Sequence, residues 1–415
     1  MPPTRSGPAW PDERTARAGA LAERTARSAY GKLLARLTRR TRDIAAAEDA
    51  LAHAFAQALT VWPQRGIPDA PEAWLTTTAM NAVRDTARRA TTRQSAAQTL
   101  KILQDERDAA DPSPDDRLGL ILAASHPAIA TAVHAPLILQ TVFGITAQEM
   151  APAFLVPPAT LSQRLVRAKA KIRDAGIPFD TDPPDRAARL ARARDAIYAL
   201  YTIASAASPS AAASARAGDA LALAAILAHL TGDPEDEGLA ALIGFCEARA
   251  PARRASDGAY IPLSQQDTTR WHDGLIGAAE KHLAAAAAHK APGPYQLEAA
   301  IQSAHCDRRR TGSTAWHAIA ALYDALTAIS PSLGAKVARA AAHAEAYGAA
   351  AGLAALDEIS PEHAADYQPY WAVRAHLDAR LGTGDGSALA RAIALADDDA
   401  VRQHLGALAA PAAAR

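Results

Sequence analysis

At 415 residues, with 44 basic and 44 acidic side chains, the chain is long enough for two or three domains with their own cores. Its two cysteines exclude a disulfide framework and a structural zinc site. No uncharged apolar run of about 18 residues is available to span a bilayer, so a cytoplasmic protein without a membrane partner is expected.

Apolar residues reach 49% but aromatics only 5%, so alanine supplies much of the interior. Alternating β-branched runs are missing, and the expected fold class is all-α, with closely packed helices joined by Pro, Gly and Asp loops. The zero net charge covers an asymmetry. Residues 1–180 hold 23 Lys and Arg against 18 Asp and Glu, whereas the remaining 235 hold 21 against 26. A basic first part and an acidic second part point to a nucleic-acid-facing half and a second half with a different task.

Residues 1–27 are rich in Pro, Arg and Thr and read as a loose arm. From Ser28 a helix is expected, with Tyr30, Leu33, Leu34 and Leu37 in register. A second helix follows, its apolar stripe formed by Ala47, Leu51, Ala54, Phe55, Ala58 and Leu59. After the turn at 63–71 comes a third, in which Trp74, Leu75, Thr78, Ala79 and Ala82 pack while Asn81, Arg84, Asp85, Arg88 and Arg89 stay polar. Three helices with a basic third one make a small bundle over residues 28–90. Residues 91–116 form a polar, then acidic, linker expected to be mobile. A solvated linker and one that covers a basic surface are both consistent with that composition.

Residues 117–180 carry a helix-turn-helix. Thr146 is placed to cap its first helix, with Glu149 as the capping-box partner. Met150, Ala153 and Phe154 share a face. Pro157 and Pro158 end that helix and start another near Ala159. In this second helix Leu161, Leu165, Val166 and Ile172 form the expected buried side. Gln163, Arg164, Arg167, Lys169, Lys171 and Arg173 form the other, with no acid until Asp174. Five cations on one short helix after a tight turn match a recognition helix in a DNA major groove. A solvated basic face in a helical bundle has the same composition, and the residues alone leave both open.

Three separated stretches, in this order, carry a resemblance: TRDIAAAEDALAHAF, then WPQRGIPDAPEAWLTTTAMNAVRD, then the helix-turn-helix ending RLVRAKAKIRDAGIPF. Together they resemble the extracytoplasmic-function (ECF) sigma factors of bacterial RNA polymerase, in the subgroup with a long C-terminal helical extension. PARRASDGAYIPLSQQDTTRWHDGLI, GPYQLEAAIQSAH and WHAIAALYDAL continue the resemblance through that extension.

The resemblance implies core RNA polymerase and promoter DNA as partners. It puts Glu48, Asp49 and Phe55 on the polymerase-binding helix. Asn81, Arg84, Arg88 and Arg89 fall on the helix facing single-stranded promoter DNA, together with Trp74 and Asp85. Thr160, Gln163, Arg164, Arg167, Lys169 and Lys171 fall on the recognition helix. Arginine there suits guanine or phosphate, and glutamine reaches adenine.

The sequence departs from the family pattern at Ala52 and His53, where a Gln-Glu pair is usual, and at Met80 and Ala82, where arginines are usual. Pro152 falls inside the scaffold helix and Pro157 replaces a capping Ser. Thr202 to Ser205 replaces an Asn-Glu-Gly-Tyr stretch.

Residues 181–415 are read as one helical domain whose helix pairs resemble tetratricopeptide-like repeats, at irregular spacing. Such stacks leave a concave face. Arg249, Arg253, Gln266, Asp267, Arg270, Trp271, Tyr295, Gln296 and His305 form a candidate groove for a small-molecule or protein ligand, unless they satisfy loop backbone groups and one another. No His-Glu-x-x-His, Cys-x-x-Cys, Walker or Gly-x-Gly-x-x-Gly pattern occurs in the chain, so no metal, cofactor or catalytic residue is expected.

The reading is an ECF-type sigma factor without enzymatic activity, regulated by its C-terminal domain. The alternative is a repurposed sigma fold with degenerate polymerase and DNA faces, whose C-terminal groove binds a small molecule or catalyses a reaction.

Overall fold

In the computed structural model the described residues are 11–91, 116–151, 154, 156–206 and 210–409. Among them the regular structure is helical, and an isolated bridge between Arg254 and Tyr260 is the nearest approach to a strand. The all-α class stands. The chain divides into two compact units, Met1–Ile203 and Ala204–Arg415.

The N-terminal unit opens with α1 (Pro11–Thr41). The helix therefore starts well inside the expected arm. Its stripe begins with Ala18, Ala22 and Thr25 before reaching Leu33, Leu34 and Leu37, all buried. Small residues at helical spacing are a weak signal, which is why this first part read as a loose arm. Asp43 then caps α2 (Ile44–Arg65), its carboxylate accepting from Ala45 N at 2.9 Å and Ala46 N at 3.3 Å. α3 (Pro71–Thr91) completes a three-helix bundle, with Trp74 set edge-on to Trp62 at 5.5 Å. The linker expected after it, like Pro152 and Ala153, lies outside the described residues.

α4 (Arg117–Ala124) and α5 (Thr131–Phe143) are almost entirely buried. α6 (Ala147–Met150) and α7 (Pro158–Asp174) form the helix-turn-helix. α8 (Arg186–Ala206) runs to the boundary between the units, so this helix, expected in the second domain, falls mostly within the first unit. The first bundle and the helix-turn-helix body are closely packed. A Cβ on Gly31 of α1 would lie 2.3 Å from the Val142 carbonyl oxygen of α5, so only glycine permits that approach of backbones.

The C-terminal unit is a succession of paired helices: α9 (Ala211–Thr231), α10 (Pro234–Ala248), α11 (Asp273–Ala287), α12 (Pro294–Cys306), the single turn α13 (Arg308–Thr311), α14 (Trp316–Ile329), α15 (Leu333–Tyr347), α16 (Ala349–Asp357), α17 (Gln368–Leu381), α18 (Ser387–Ala394) and α19 (Asp399–Ala409). α9 has the length and apolarity of a membrane span. It packs on α10, with Ala220, Leu223, Ala224 and Leu227 buried.

Alanine does here what the composition implies. At Gly352 of α16 a Cβ would lie 2.4 Å from that of Ala344 on α15, and Ala340, Ala344, Leu356, Tyr370 and Leu377 close one core. Neighbouring Leu297, Ile301, Ile319 and Leu326 close a second.

Candidate nucleic-acid and polymerase interface

The helix-turn-helix is held by the capping box that its sequence announces. Glu149 N donates to Thr146 Oγ1 at 3.3 Å, and Thr146 N donates to Glu149 Oε2 at 2.8 Å. α6 is only four residues long, shorter than the sequence suggests, and Phe154 beyond it is half-buried. Pro157 precedes α7 without a side-chain cap, and Pro158 takes the first helical position, where the missing N–H costs nothing.

α7 buries Leu161, Leu165, Ala168, Lys169 and Ile172. Thr160, half-buried, opens the outer face, which carries exposed Gln163, Arg164, Arg167 and Lys171. Among the described residues none of Arg164, Arg167 and Lys171 makes an ion pair, whereas Arg173 is paired with Asp174 at 2.9 Å and Asp43 at 3.7 Å. An unneutralised cationic ridge next to an amide side chain can take phosphates and base edges.

Two expectations on this helix are corrected. Val166, expected inside, is 63% exposed and sits among the polar ridge residues. There its methyl groups are available to a thymine methyl. Lys169, expected outside, is 7% exposed, and its Nζ donates to both carboxylate oxygens of Glu48, at 2.7 and 2.5 Å. Burial pushes the Glu48 carboxyl upward, with Lys169 opposing that shift.

On α2, Asp49, Ala52 and His53 line an exposed ridge, and Phe55 is half-buried. Leu59, expected in the apolar stripe, is 52% exposed and extends that ridge with an apolar side chain that sequence patterning assigned to the core. On α3 the Arg84 guanidinium donates to Asn81 Oδ1 at 3.1 Å, so these two candidate DNA contacts hold each other. Met80 is 5% exposed and faces the bundle core, so it offers nothing to DNA. The side chains of Arg88 and Arg89 lie outside the described residues.

The candidate groove of the C-terminal unit separates into two sets. Tyr295 and Gln296 begin α12 and are held by Glu235 of α10, through backbone N–H groups at 3.0 and 3.3 Å and through Gln296 Nε2 at 3.0 Å. The others brace the segment between α10 and α11. Arg249 bonds Gln302, and Arg253 donates to the Cys246 carbonyl at 3.0 Å. Gln266 donates to the Ile261 carbonyl at 3.3 Å. Asp267 caps the turn through Thr269 N at 2.9 Å, and Arg270 donates to the carbonyls of Arg254 and Pro251. Arg308, which sequence reading missed, ties the segment together: it donates to the carbonyls of Leu263 and Gln266 at 2.8 Å and lies 5.2 Å over the buried Trp271 ring.

His305 packs edge-on to Trp316 at 5.4 Å. Burial, with Arg249 and Arg308 nearby, holds its imidazole down at about 4. A cavity of about 600 Å³ in this unit lies elsewhere, lined by Arg254, Tyr260, Asp398 and Val401, and shares only Arg253 with the expected groove.

The three-helix bundle is the part of the chain that decides its ancestry: residues 26–93 match the model of sigma-70 region 2. The chain carries a sigma-70 region 2 domain. A region 2 domain implies interaction with core RNA polymerase and promoter DNA, and with it transcription initiation of the sigma-factor kind. Residues 189–287 match a second model, a family of unknown function (DUF6596). The chain is also 35% identical over 402 residues to an uncharacterized protein of Rhizobium meliloti (strain 1021), across 92% of this chain and 95% of that protein, and shares its family. No solved structure matches the chain.

Proposed function

We propose that this protein, which carries a sigma-70 region 2 domain, is a sigma-70 family sigma factor of the ECF type that directs core RNA polymerase to specific promoters and has no catalytic activity of its own. One observation carries the reading. The outer face of α7 presents Gln163, Arg164, Arg167 and Lys171 to solvent, and its three cations make no ion pair among the described residues, in the same unit as a region 2 bundle. In this reading α7 reads the upstream promoter element, and the exposed ridge of α2 at Asp49, His53 and Leu59 meets polymerase. α3 faces the melted strand. The C-terminal unit is a tetratricopeptide-like scaffold that regulates engagement. Its nine candidate ligand residues fit bracing better than ligand capture, since each makes a hydrogen bond or ring contact within its own unit.

The test is capture of core RNA polymerase by the purified full chain, followed by run-off transcription from the region upstream of its own gene. A stable complex and a discrete transcript are expected, with the transcript lost in Arg164→Ala/Arg167→Ala. A folded protein that neither binds polymerase nor supports a transcript overturns the reading in favour of a sigma fold put to another use.

A further inference from the structure

The cavity of the C-terminal unit lies outside the faces assigned to polymerase and DNA. Its volume of about 600 Å³ is that of a pocket for a small organic molecule. Ala217 of α9, Leu395 after α18 and Val401 of α19 give it an apolar side. The polar side is uneven in charge. Glu247, Asp397 and Asp398 bring three carboxylates to the lining, against the two guanidinium groups of Arg253 and Arg254.

Both cations are already engaged. Arg253 donates to the Cys246 carbonyl at 3.0 Å. Arg254 donates to the Gly258 carbonyl at 3.3 Å and is ion-paired with Asp398, whose other oxygen caps α19 by accepting from Ala400 N at 2.9 Å. The wall is also well fixed. Arg254 and Tyr260 face each other in the isolated bridge, so their side chains project to the same side, and Tyr260 sits edge-on to His404 of α19 at 5.6 Å.

The groups left over accept hydrogen bonds. Asp397 is exposed and makes no ion pair or hydrogen bond among the described residues. The side-chain amide of Gln368, which opens α17, and the Tyr260 hydroxyl are likewise without a hydrogen bond there. Burial pushes the Tyr260 phenol upward, which keeps it neutral. An ammonium group supplies a positive charge and three donors, and an aromatic ring in the wall favours a cation further.

We propose that this cavity binds a small organic cation, a primary amine on an apolar body, with Asp397 at the ammonium head and Ala217, Leu395 and Val401 along the body. An anionic ligand is disfavoured, because it meets three carboxylates while both guanidinium groups are held by the wall itself. An occupant touches both the 254–260 loop and the start of α19, so it stabilises the C-terminal unit by mass action. The site does not depend on the sigma reading.

The experiment titrates the full chain, without polymerase or DNA, with three probes that share one body and differ in the head: phenethylamine, phenethyl alcohol and hydrocinnamate. Binding is read by isothermal titration calorimetry and by the thermal denaturation midpoint. The amine is expected to bind on the order of 5-fold more tightly than the alcohol and to raise the midpoint, with the carboxylate weakest. Asp397→Asn, at an exposed position, is expected to keep the fold and bring the amine down to the affinity of the alcohol. Val401→Trp fills the apolar side and is expected to weaken all three probes; should it fail to fold by circular dichroism, Asp397→Asn alone decides. A carboxylate that binds as well as the amine overturns the proposal, because it shows the guanidinium groups to be available. So does an amine whose affinity survives Asp397→Asn unchanged, or a chain that binds none of the three probes. Since no arm contains polymerase or DNA, each of these outcomes leaves the sigma reading standing, and failure of the sigma reading leaves the site standing.

Discussion

The outer face of α7 and the 249–272 segment of the C-terminal unit are built from the same residue types, arginine and glutamine beside a tryptophan or an aliphatic side chain, and they behave in opposite ways. On α7 the guanidinium groups of Arg164 and Arg167 have no ion-pair partner among the described residues. In the C-terminal unit Arg270 of that segment and Arg308 of α13 donate to main-chain carbonyls of the irregular stretch, and Arg253 donates to the Cys246 carbonyl at the end of α10. A helix satisfies its own backbone, so cations on its outer surface are left for other molecules. A long irregular segment cannot, so nearby side chains supply some of its missing donors. Arginine by itself therefore says little about binding. The hydrogen-bonding state of the backbone beside it says more.

The comparison is broken most sharply by exchanging the consequences. Trp271→Ala removes a ring that is 3% exposed and is expected to cost the C-terminal unit roughly 3–5 kcal/mol, read as a lowered denaturation midpoint, with the DNA affinity of the N-terminal unit unchanged. Arg164→Ala/Arg167→Ala should do the reverse. Duplex binding, followed by fluorescence anisotropy, is expected to weaken by roughly 2–4 kcal/mol, and its salt dependence to flatten by about two counterions. Thermal stability should stay within about 0.5 kcal/mol. Equal losses of stability in both variants would erase the distinction between the two regions.

His305 sharpens it through pH. Its imidazole is neutral in the fold, held at about 4 against an ordinary 6.5. The unfolded chain therefore takes up a proton first as pH falls. Its contribution to stability is fully present above about 6.5 and is lost as pH falls toward 4, amounting to ~2 kcal/mol once solvent screening is allowed for. His305→Gln should flatten the stability profile of the C-terminal unit in that window, while any loss below it belongs to carboxylates such as Asp398, which Arg254 holds down. The smallest expected effect is Thr146→Ala, which removes the cap of α6 and should cost ~1 kcal/mol, measured by denaturant unfolding, with the fold of the C-terminal unit unaffected.

Much of the local structure was legible in the residues. Thr146 and Glu149 have the spacing of a capping box and form one. Pro158 opens α7 because proline suits a first helical position. Leu33, Leu34 and Leu37 lie inside, as their period requires. The helix over 11–27 was less legible because Ala18, Ala22 and Thr25 make a stripe too small to stand out from a Pro- and Arg-rich composition. The spacing of Lys169 signals burial. This lysine follows Leu165 by four residues and Leu161 by eight, on the same row as the buried leucines, although lysine chemistry argued for the outside. Val166 and Leu59 show the opposite: apolar chemistry argues for the inside, and both are exposed.

By itself, then, the sequence determined the helical class, the positions of the caps and breaks, and a cationic ridge on α7, because each depends on interactions within a few residues. Only the tertiary structure decided that Lys169 turns away from that ridge to Glu48, 121 positions earlier in the chain, and that Arg270 and Arg308 are spent on carbonyls of the irregular segment. Those outcomes depend on which groups meet across helices and on the cost of leaving a buried polar group without a partner, and neither is written in local periodicity.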